Sequence, residues 1–474
     1  MIVHKFGGTS VGDVHRFSNV ADIVIKYHHD PPVGAPEESL VVVSAMGGVT
    51  NRLIDGARAA AEGQDSVYRE IKAHLLSRHL DVVEALLNNS AERLEVGGLV
   101  EDRLHDLERL YRSIAVLGEL TARGLDVVTS FGEQLSAHIL AAVLRERGVR
   151  VQAISATELM VTDEHFGSAV PLMEPTRERL EEQVKPLIAR GVVPVITGYI
   201  GATEEGVTTT LGRSGSDYSA AIIGAALGAD EVWIWSDVDG ILTADPNIVP
   251  QAKTLDELSY AEAADLAYFG ADVLHPKTIR PVVENGIPLR ILNSFNPDHP
   301  GTLIVEQPRE DRAVLPAIIS TTGLSLIAIG SEDDSWTLRM AAQALQRLSE
   351  SGFDVLMFSQ SLSEHNLNLV VREQDQAHCL KILRRAFDYD ELDSVYNLGV
   401  KEKAATISVV GVPGWNDTGV VSHAFLALGK RNTRVIAVAQ AATEHSVSFC
   451  IPEEQVADTV LFLHRELGLE VSSQ

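Results

Sequence analysis

Apolar positions along the chain follow two rhythms. Ile2 to Phe6 is a short apolar run closed by Gly7-Gly8, which reads as a strand. Val14 to Lys26 has helical spacing, and Pro31, Pro32, Gly34 and Pro36 then break the chain. Leu40-Val41-Val42-Val43 reads as a buried strand followed by Gly47-Gly48. From about 51 to 123 the pattern is helical, charged and free of proline, which predicts a helical insertion. A strand is predicted at Asp126-Val127-Val128-Thr129, then a helix from Glu133 to Arg147. Val192 to Ile196 and Val232 to Trp235 are two further buried strands. Strands alternating with helices imply an α/β fold, with a mainly parallel sheet sandwiched by helices.

Between Pro297 and Arg312 the composition turns polar and proline-containing, which marks a boundary. Beyond it the chain repeats itself. Phe358-Ser359-Gln360-Ser361-Leu362-Ser363-Glu364-His365 resembles Val438-Ala439-Gln440-Ala441-Ala442-Thr443-Glu444-His445, with the glutamines 80 residues apart. Each copy offers strand, helix, then a strand ending in Gln, which predicts tandem βαββαβ units. The competing account is a chance match of two polar loops. The expected domains are 1–310, 315–390 and 391–474.

A chain of 474 residues is too long for one ordinary core, in agreement with this division. The net charge of -27 argues against a nucleic-acid or anionic-membrane surface, although a local cation cluster can still reverse the field in a cleft. The two cysteines, Cys379 and Cys450, form no Cys-x-x-Cys pair, so no thiolate metal site is expected. The N-terminus runs straight into a strand and no apolar run reads as long enough to span a bilayer. The cytoplasm is the expected compartment.

Four clusters carry candidate chemistry. Lys5-Phe6-Gly7-Gly8-Thr9-Ser10-Val11 puts a cation, close-approach glycines and hydroxyl donors at a strand end. Ser44-Ala45-Met46-Gly47-Gly48-Val49-Thr50-Asn51 has the same form. In a parallel sheet such loops meet on one edge, where they can bind two anions side by side. Taken singly, each is equally a ligand-free turn. Thr208 to Tyr218, containing Gly212-Arg213-Ser214-Gly215-Ser216-Asp217, opens a helix, and Arg213 can grip a carboxylate with two hydrogen bonds. Ser236-Asp237-Val238-Asp239-Gly240 offers carboxylates for a ribose or magnesium-bound water, or forms an Asx-turn. The P-loop and protein-kinase signatures do not occur.

Together with Phe131-Gly132-Glu133 and Phe269-Gly270-Ala271-Asp272-Val273-Leu274-His275-Pro276, these motifs resemble the aspartate kinases of the amino-acid kinase superfamily. The C-terminal repeat resembles their tandem ACT domains. The resemblance implies transfer of the γ-phosphoryl of ATP to the β-carboxylate of L-aspartate. Lys5 would contact the transferring phosphoryl, and Gly7, Gly8, Thr9 and Ser10 would cradle the phosphates. Ser44 would lie near the reacting carboxylate, and Thr50 and Glu133 would bind aspartate. Arg213 would hold the α-carboxylate, with Ser216 and Asp217 completing the pocket; Lys5 and Asp217 are the catalytic candidates. Ser236, Asp237, Leu242 and Asn247 fall at nucleotide positions. The resemblance implies no protein metal ligand, because Mg2+ can ride on ATP.

Leu242, Asn247 and Asp272 depart from the Tyr, Arg and Lys of many relatives, and Lys253 or Lys277 are candidate replacements. These departures keep open a catalytically impaired amino-acid sensor, beside another amino-acid kinase. Gln360, Asp417 and Gln440 are the regulatory candidates for an inhibitory amino acid, threonine first and lysine second. The glutamines equally suit plain sheet-edge residues. At least a homodimer is expected.

Overall fold

The computed structural model of the protein describes residues 1–29, 38–268, 276–312, 315–331, 337–353, 355–361, 365–387, 396–410, 419–440 and 446–469. They fall into two compact units. The first holds Met1–Ile241, Leu255–Ala267 and the described part of 272–312; the second holds Leu242–Thr254, Tyr268 and the described part of 313–474.

The first unit opens with β1 (Ile2–Phe6), α1 (Val14–His29) and β2 (Ser39–Val43). Then come α2 (Val49–Ala61), α3 (Asp65–Leu86), α4 (Ser90–Leu117) and α5 (Ala122–Glu146). The chain continues through β3 (Val151–Ile154), α6 (Ala156–Leu159), α7 (Met173–Gln183), α8 (Lys185–Ile188) and β4 (Val193–Thr197). A small hairpin, β5 (Ile200–Ala202) and β6 (Thr208–Thr210), leads into α9 (Gly215–Leu227) and β7 (Glu231–Ser236). The unit ends with β8 (Glu257–Ser259), α10 (Tyr260–Tyr268), α11 (Pro276–Glu284), β9 (Leu289–Asn293) and β10 (Thr302–Val305).

Eight of these strands form one sheet in the order β3-β4-β2-β1-β7-β9-β10-β8, and only the β9–β10 pair is antiparallel. Every residue of β1, β2 and β4 is buried, because helices cover both faces. Strand alternation sends Ile2 and Phe6 into a core with Val41, Val43, Val193 and Val195 under α1 and α5. It sends Lys5 to the opposite face, where α9 packs on β1.

The predicted strand at Asp126–Thr129 is corrected: these residues lie inside α5. Their β-branched content suggests a strand, yet Val128, Leu135, Ile139 and Ala142 recur at helical spacing and are buried. Thr121 caps the helix by accepting from the Gly124 amide at 3.0 Å. The expectation of no span-length apolar run is corrected too. α5 is long and apolar enough to cross a membrane, but most of it is buried inside the unit as its central helix. The helix predicted after Tyr218 starts earlier, at Gly215, so Ser216 and Asp217 form its first turn. The insertion is the α2–α4 bundle, whose Tyr68, Leu75, Leu104 and Tyr111 pack into the same core as α5.

The second unit runs β11 (Ala317–Ser331), α12 (Leu338–Glu350), β12 (Met357–Ser361), β13 (Asn366–Arg372), α13 (Gln376–Ala386) and β14 (Tyr396–Val410). It continues through α14 (Gly419–Arg431), β15 (Ala437–Gln440), β16 (Ser446–Pro452) and α15 (Val456–Glu466). Its six strands make one antiparallel sheet, β12-β13-β11-β14-β16-β15. The two βαββαβ copies interlock. The later half of β11 and the early half of β14 serve the first copy, and their other halves pair as Ala317–Val410 to Thr321–Thr406 within the second. Between the halves of β11 a register shift falls at Gly323, whose φ of 68° suits a residue without Cβ.

The segment 242–254 belongs to this unit although strands of the first unit flank it in sequence. Leu242 bridges Thr254, and the Ile318 amide donates to the Thr243 carbonyl at 2.8 Å. Thr243 Oγ1 meets His464 Nε2 at 3.1 Å. Ala244 and Val249 join Ile407, Phe449, Val460 and Leu463 in the second copy's core.

Candidate active site

The loops after β4, β2, β1, β7 and β9 follow the carboxyl ends of neighbouring parallel strands, the edge where open α/β sheets bind ligands. The glycine pairs allow these loops to touch. The Gly47 amide donates to the Gly8 carbonyl at 2.9 Å, and a Cβ on Gly8 would lie 2.9 Å from the Ala45 carbonyl oxygen. Any side chain there would force the two loops apart.

A cavity of about 490 Å³ opens at this edge. Lys5, Gly8, Ser44, Thr50, Glu133, Arg213, Ser216 and Asp217 line it, together with Gly47, Gly48, Gly167 and Tyr199. Three of these loops were separate in sequence, and the sheet brings them to one wall. Lys5 is buried and pairs with the Asp217 carboxylate from the first turn of α9. The turn into α9 places Gly212 at φ 79° and Ser214 at φ 54°, which carries Arg213 to the rim.

Glu133 comes from the middle of α5 and is 3% exposed. Burial pushes its carboxyl up to about 8; the Ala45 amide and the Lys5 ammonium pull the other way without cancelling it. A carboxyl in this state holds its proton near neutrality and ionises once a cation docks beside it. The cavity thus offers separate fittings for two anions and one ammonium: Lys5 with glycine amides, Arg213, and Glu133.

Other candidates lie outside the cavity lining. Thr9 is exposed, and its carbonyl accepts from Arg16 Nη1 at 2.7 Å. Ser10 is buried, with its Oγ 2.8 Å from Ser294 Oγ. Ser294 Oγ in turn donates to the Ser236 carbonyl at 3.0 Å, so Ser10 ties the ends of β1, β7 and β9 together. Gly7 donates to the Trp235 carbonyl at 3.4 Å. Ser236 Oγ donates to Asp237, which is exposed at the end of β7. Asp239 accepts from Asn293 and Asn296 at 2.8 and 3.0 Å and braces two loops.

Leu242 and Asn247 sit on the 242–254 segment, in the second unit. The Asn247 side-chain amide donates to Asp245 at 3.0 Å. Gln360 is the penultimate residue of β12 and Gln440 the last of β15, the two outermost strands of the second sheet, paired with Leu367 and Val447. Asp417, Asp272 and residues 269–275 of the Phe269–Pro276 motif lie outside the described residues, as does the Lys277 side chain.

Sequence reading missed Tyr199, Gly167, Ser294 and Asp126. Tyr199 carried a usable signal, since it follows a buried strand and Gly198 as the first two loops follow theirs. Among the described residues, no group of three His, Cys, Asp or Glu side chains is placed to hold a metal.

A mainly parallel sheet with glycine loops and cations gathered at its carboxyl edge defines a binder of small anionic ligands. Residues 1–293 match the family model of the amino acid kinase family, and residues 337–387 and 407–467 match an ACT domain. Aspartokinase 1, chloroplastic, of Arabidopsis thaliana is 31% identical over 98% of this chain and 79% of its own length. E. coli aspartokinase III solved with aspartate and ADP (R-state) superposes with a TM-score of 0.80 at 30% identity, covering 99% of this chain and 100% of that one. The same enzyme with lysine and aspartate (T-state) gives 0.78 at 30% identity, covering 98% and 99%. Other relatives are bifunctional aspartokinase/homoserine dehydrogenases, of which the chain spans about half the length. The chain belongs to the amino acid kinase family and, within it, to the aspartokinases.

Proposed function

We propose that the chain is an aspartate kinase, making 4-phospho-L-aspartate from ATP and L-aspartate at the head of lysine, threonine and methionine biosynthesis. The observation that carries this reading is the convergence of Lys5, Glu133, Arg213, Ser216 and Asp217 on one cavity. The substrate has three charges, and the cavity has a complement for each. Arg213 takes the α-carboxylate and Glu133, ionised on docking, takes the ammonium. The β-carboxylate is then held near Ser44 and Lys5.

No general base is needed, since a free carboxylate with an ordinary pKa of about 4 is already a nucleophile. A carboxylate oxygen forms the new P–O bond as the bond to the ADP oxygen breaks. Two anions must approach each other, so positioning and positive charge supply the catalysis. Lys5 gives charge at the transferring group, Gly8 gives an amide and Thr9 a hydroxyl, while Gly7, whose amide is held by the Trp235 carbonyl, shapes the turn that lets the phosphates approach. Mg2+ carried on the nucleotide would neutralise phosphate charge, with Asp237 the carboxylate suited to its water shell.

The second unit is read as a sensor for an inhibitory amino acid, threonine or lysine. The lysine-bound T-state of E. coli aspartokinase III favours keeping lysine alongside threonine. A cytoplasmic homodimer or higher oligomer completes the reading.

The direct test offers aspartate, glutamate and no acceptor to the purified protein with Mg-ATP, and traps acyl phosphate as the hydroxamate. Aspartate-dependent hydroxamate is expected. Binding of amino acids without any turnover would favour the impaired sensor instead.

A further inference from the structure

Asp126 is a carboxylate on α5 with 2% exposure and no place in the cavity lining. It lies seven residues before Glu133, two helical turns away, and so on the same face of the helix. Oδ2 accepts from the Gly167 amide at 2.9 Å and from the Thr210 amide at 3.0 Å. Oδ1 accepts from Thr210 Oγ1 at 2.7 Å. The Ala169 amide donates to the Thr210 carbonyl at 2.8 Å, which closes the clamp between the Gly167 loop and β6.

The clamp sits at the root of the Arg213 turn. Thr210 is the last residue of β6, three before Arg213. Leu211 donates to the carbonyl of Tyr199, a residue held at φ 68°. Gly212 then passes the Gly167 loop so closely that a Cβ would lie 3.1 Å from the Gly167 carbonyl oxygen. Removing the Asp126 carboxylate leaves the buried Thr210 amide, the part-buried Gly167 amide and a hydroxyl without their acceptor, and frees the turn that carries Arg213.

We propose that Asp126 is a positioning residue for aspartate recognition, acting through the Gly167 loop and Thr210 on Arg213. The inference rests on the aspartate kinase reading. Asp126 touches no substrate and acts through the arginine. The bonds it makes are to backbone and hydroxyl, so an amide of the same shape keeps most of them if Thr210 Oγ1 turns to accept.

The test is steady-state kinetics on the full chain for Asp126→Ala, Asp126→Asn, Arg213→Ala and the Asp126→Ala/Arg213→Ala double variant. Turnover of aspartate by the wild type tests the underlying reading alone; without it both ideas fall. With it, Asp126→Ala should raise KM for aspartate about 10- to 30-fold and leave KM for ATP within about twofold. Asp126→Asn should recover most of that loss. The double variant should be no worse than Arg213→Ala by more than about twofold, since one residue acts through the other. Should Asp126→Ala fail to fold, Thr210→Val removes one bond at near-constant volume, and about a threefold rise in KM for aspartate is expected, again absent in the Arg213→Ala background. Equal effects on both substrates, a wild-type KM, or effects that multiply with Arg213→Ala would each overturn the proposal.

Discussion

In the first unit the candidate groups grow from the middle of the sheet; in the second they lie at or next to the ends of its two outermost strands. Lys5 is on β1, with three strands on one side and four on the other, and Glu133 is on the buried central helix. Gln360 is half-buried and Gln440 exposed. The contrast teaches what each task requires. Phosphoryl transfer needs charges fixed against the core, where displacement is resisted by packing on every side. Sensing needs groups that a ligand can reach and whose surroundings can change on binding. Substitutions in the first unit should therefore alter chemistry and leave effector binding alone, and those in the second should do the reverse.

The largest effect is expected at Lys5. Lys5→Ala should lower turnover by about 10³-fold, the loss typical of one cation at a transferring phosphoryl. Effector binding measured by calorimetry on the same variant should match wild type. Retention of turnover within a few-fold would break the comparison at its strongest point.

Glu133 sharpens it through pH. Its folded value near 8 exceeds the ordinary 4.5, so between those limits the folded chain holds a proton that the unfolded chain has lost. On this group's account stability declines as pH rises through that window, and Glu133→Gln removes the decline. Melting temperatures from pH 5 to 8.5 should therefore fall less steeply in the variant. KM for aspartate should rise about 10- to 100-fold, the range for a lost hydrogen bond to a charged group. Aspartate binding to the wild type near pH 7 should release a proton, visible as a buffer-dependent heat; equal heats in buffers of different ionisation enthalpy would count against the ammonium role.

The smallest expected effect on catalysis lies in the second unit. Gln440→Ala and Gln360→Ala should weaken binding of threonine or lysine by about tenfold each, with uninhibited turnover unchanged. Unaltered inhibition curves in both variants would reduce the glutamines to sheet-edge residues.

Sequence reading went furthest where the physics is local. An apolar run that ends in paired glycines is both a buried strand and a close-approach loop, so the walls containing Gly8 and Gly47 were legible. The repeat was legible because shape recurs with its residues. The fold hid what depends on distant partners. Asp126 bonds residues 41 and 84 positions away, and nothing in its own neighbourhood announces them. It was read as part of a strand because Val127, Val128 and Thr129 favour one, while the buried face of a long helix decided otherwise. The interlock of the two copies was equally hidden, since a 15-residue strand gives no sign of which half serves which neighbour.

The 242–254 segment has a consequence for birth at the ribosome. The strands on either side of it, β7 and β8, pair within the first unit. Ala244 and Val249, however, find their core only among residues as late as Val460 and Leu463. Roughly two hundred residues separate the two ends of that core, which at 5–20 residues per second is about 10–40 s of translation. The nascent chain carries this apolar stretch without its full set of partners until that interval ends, although Ile318 and Ile407 of the same core emerge earlier. A stalled or truncated product ending near residue 310 would keep it exposed permanently, as a handle for chaperones and proteases.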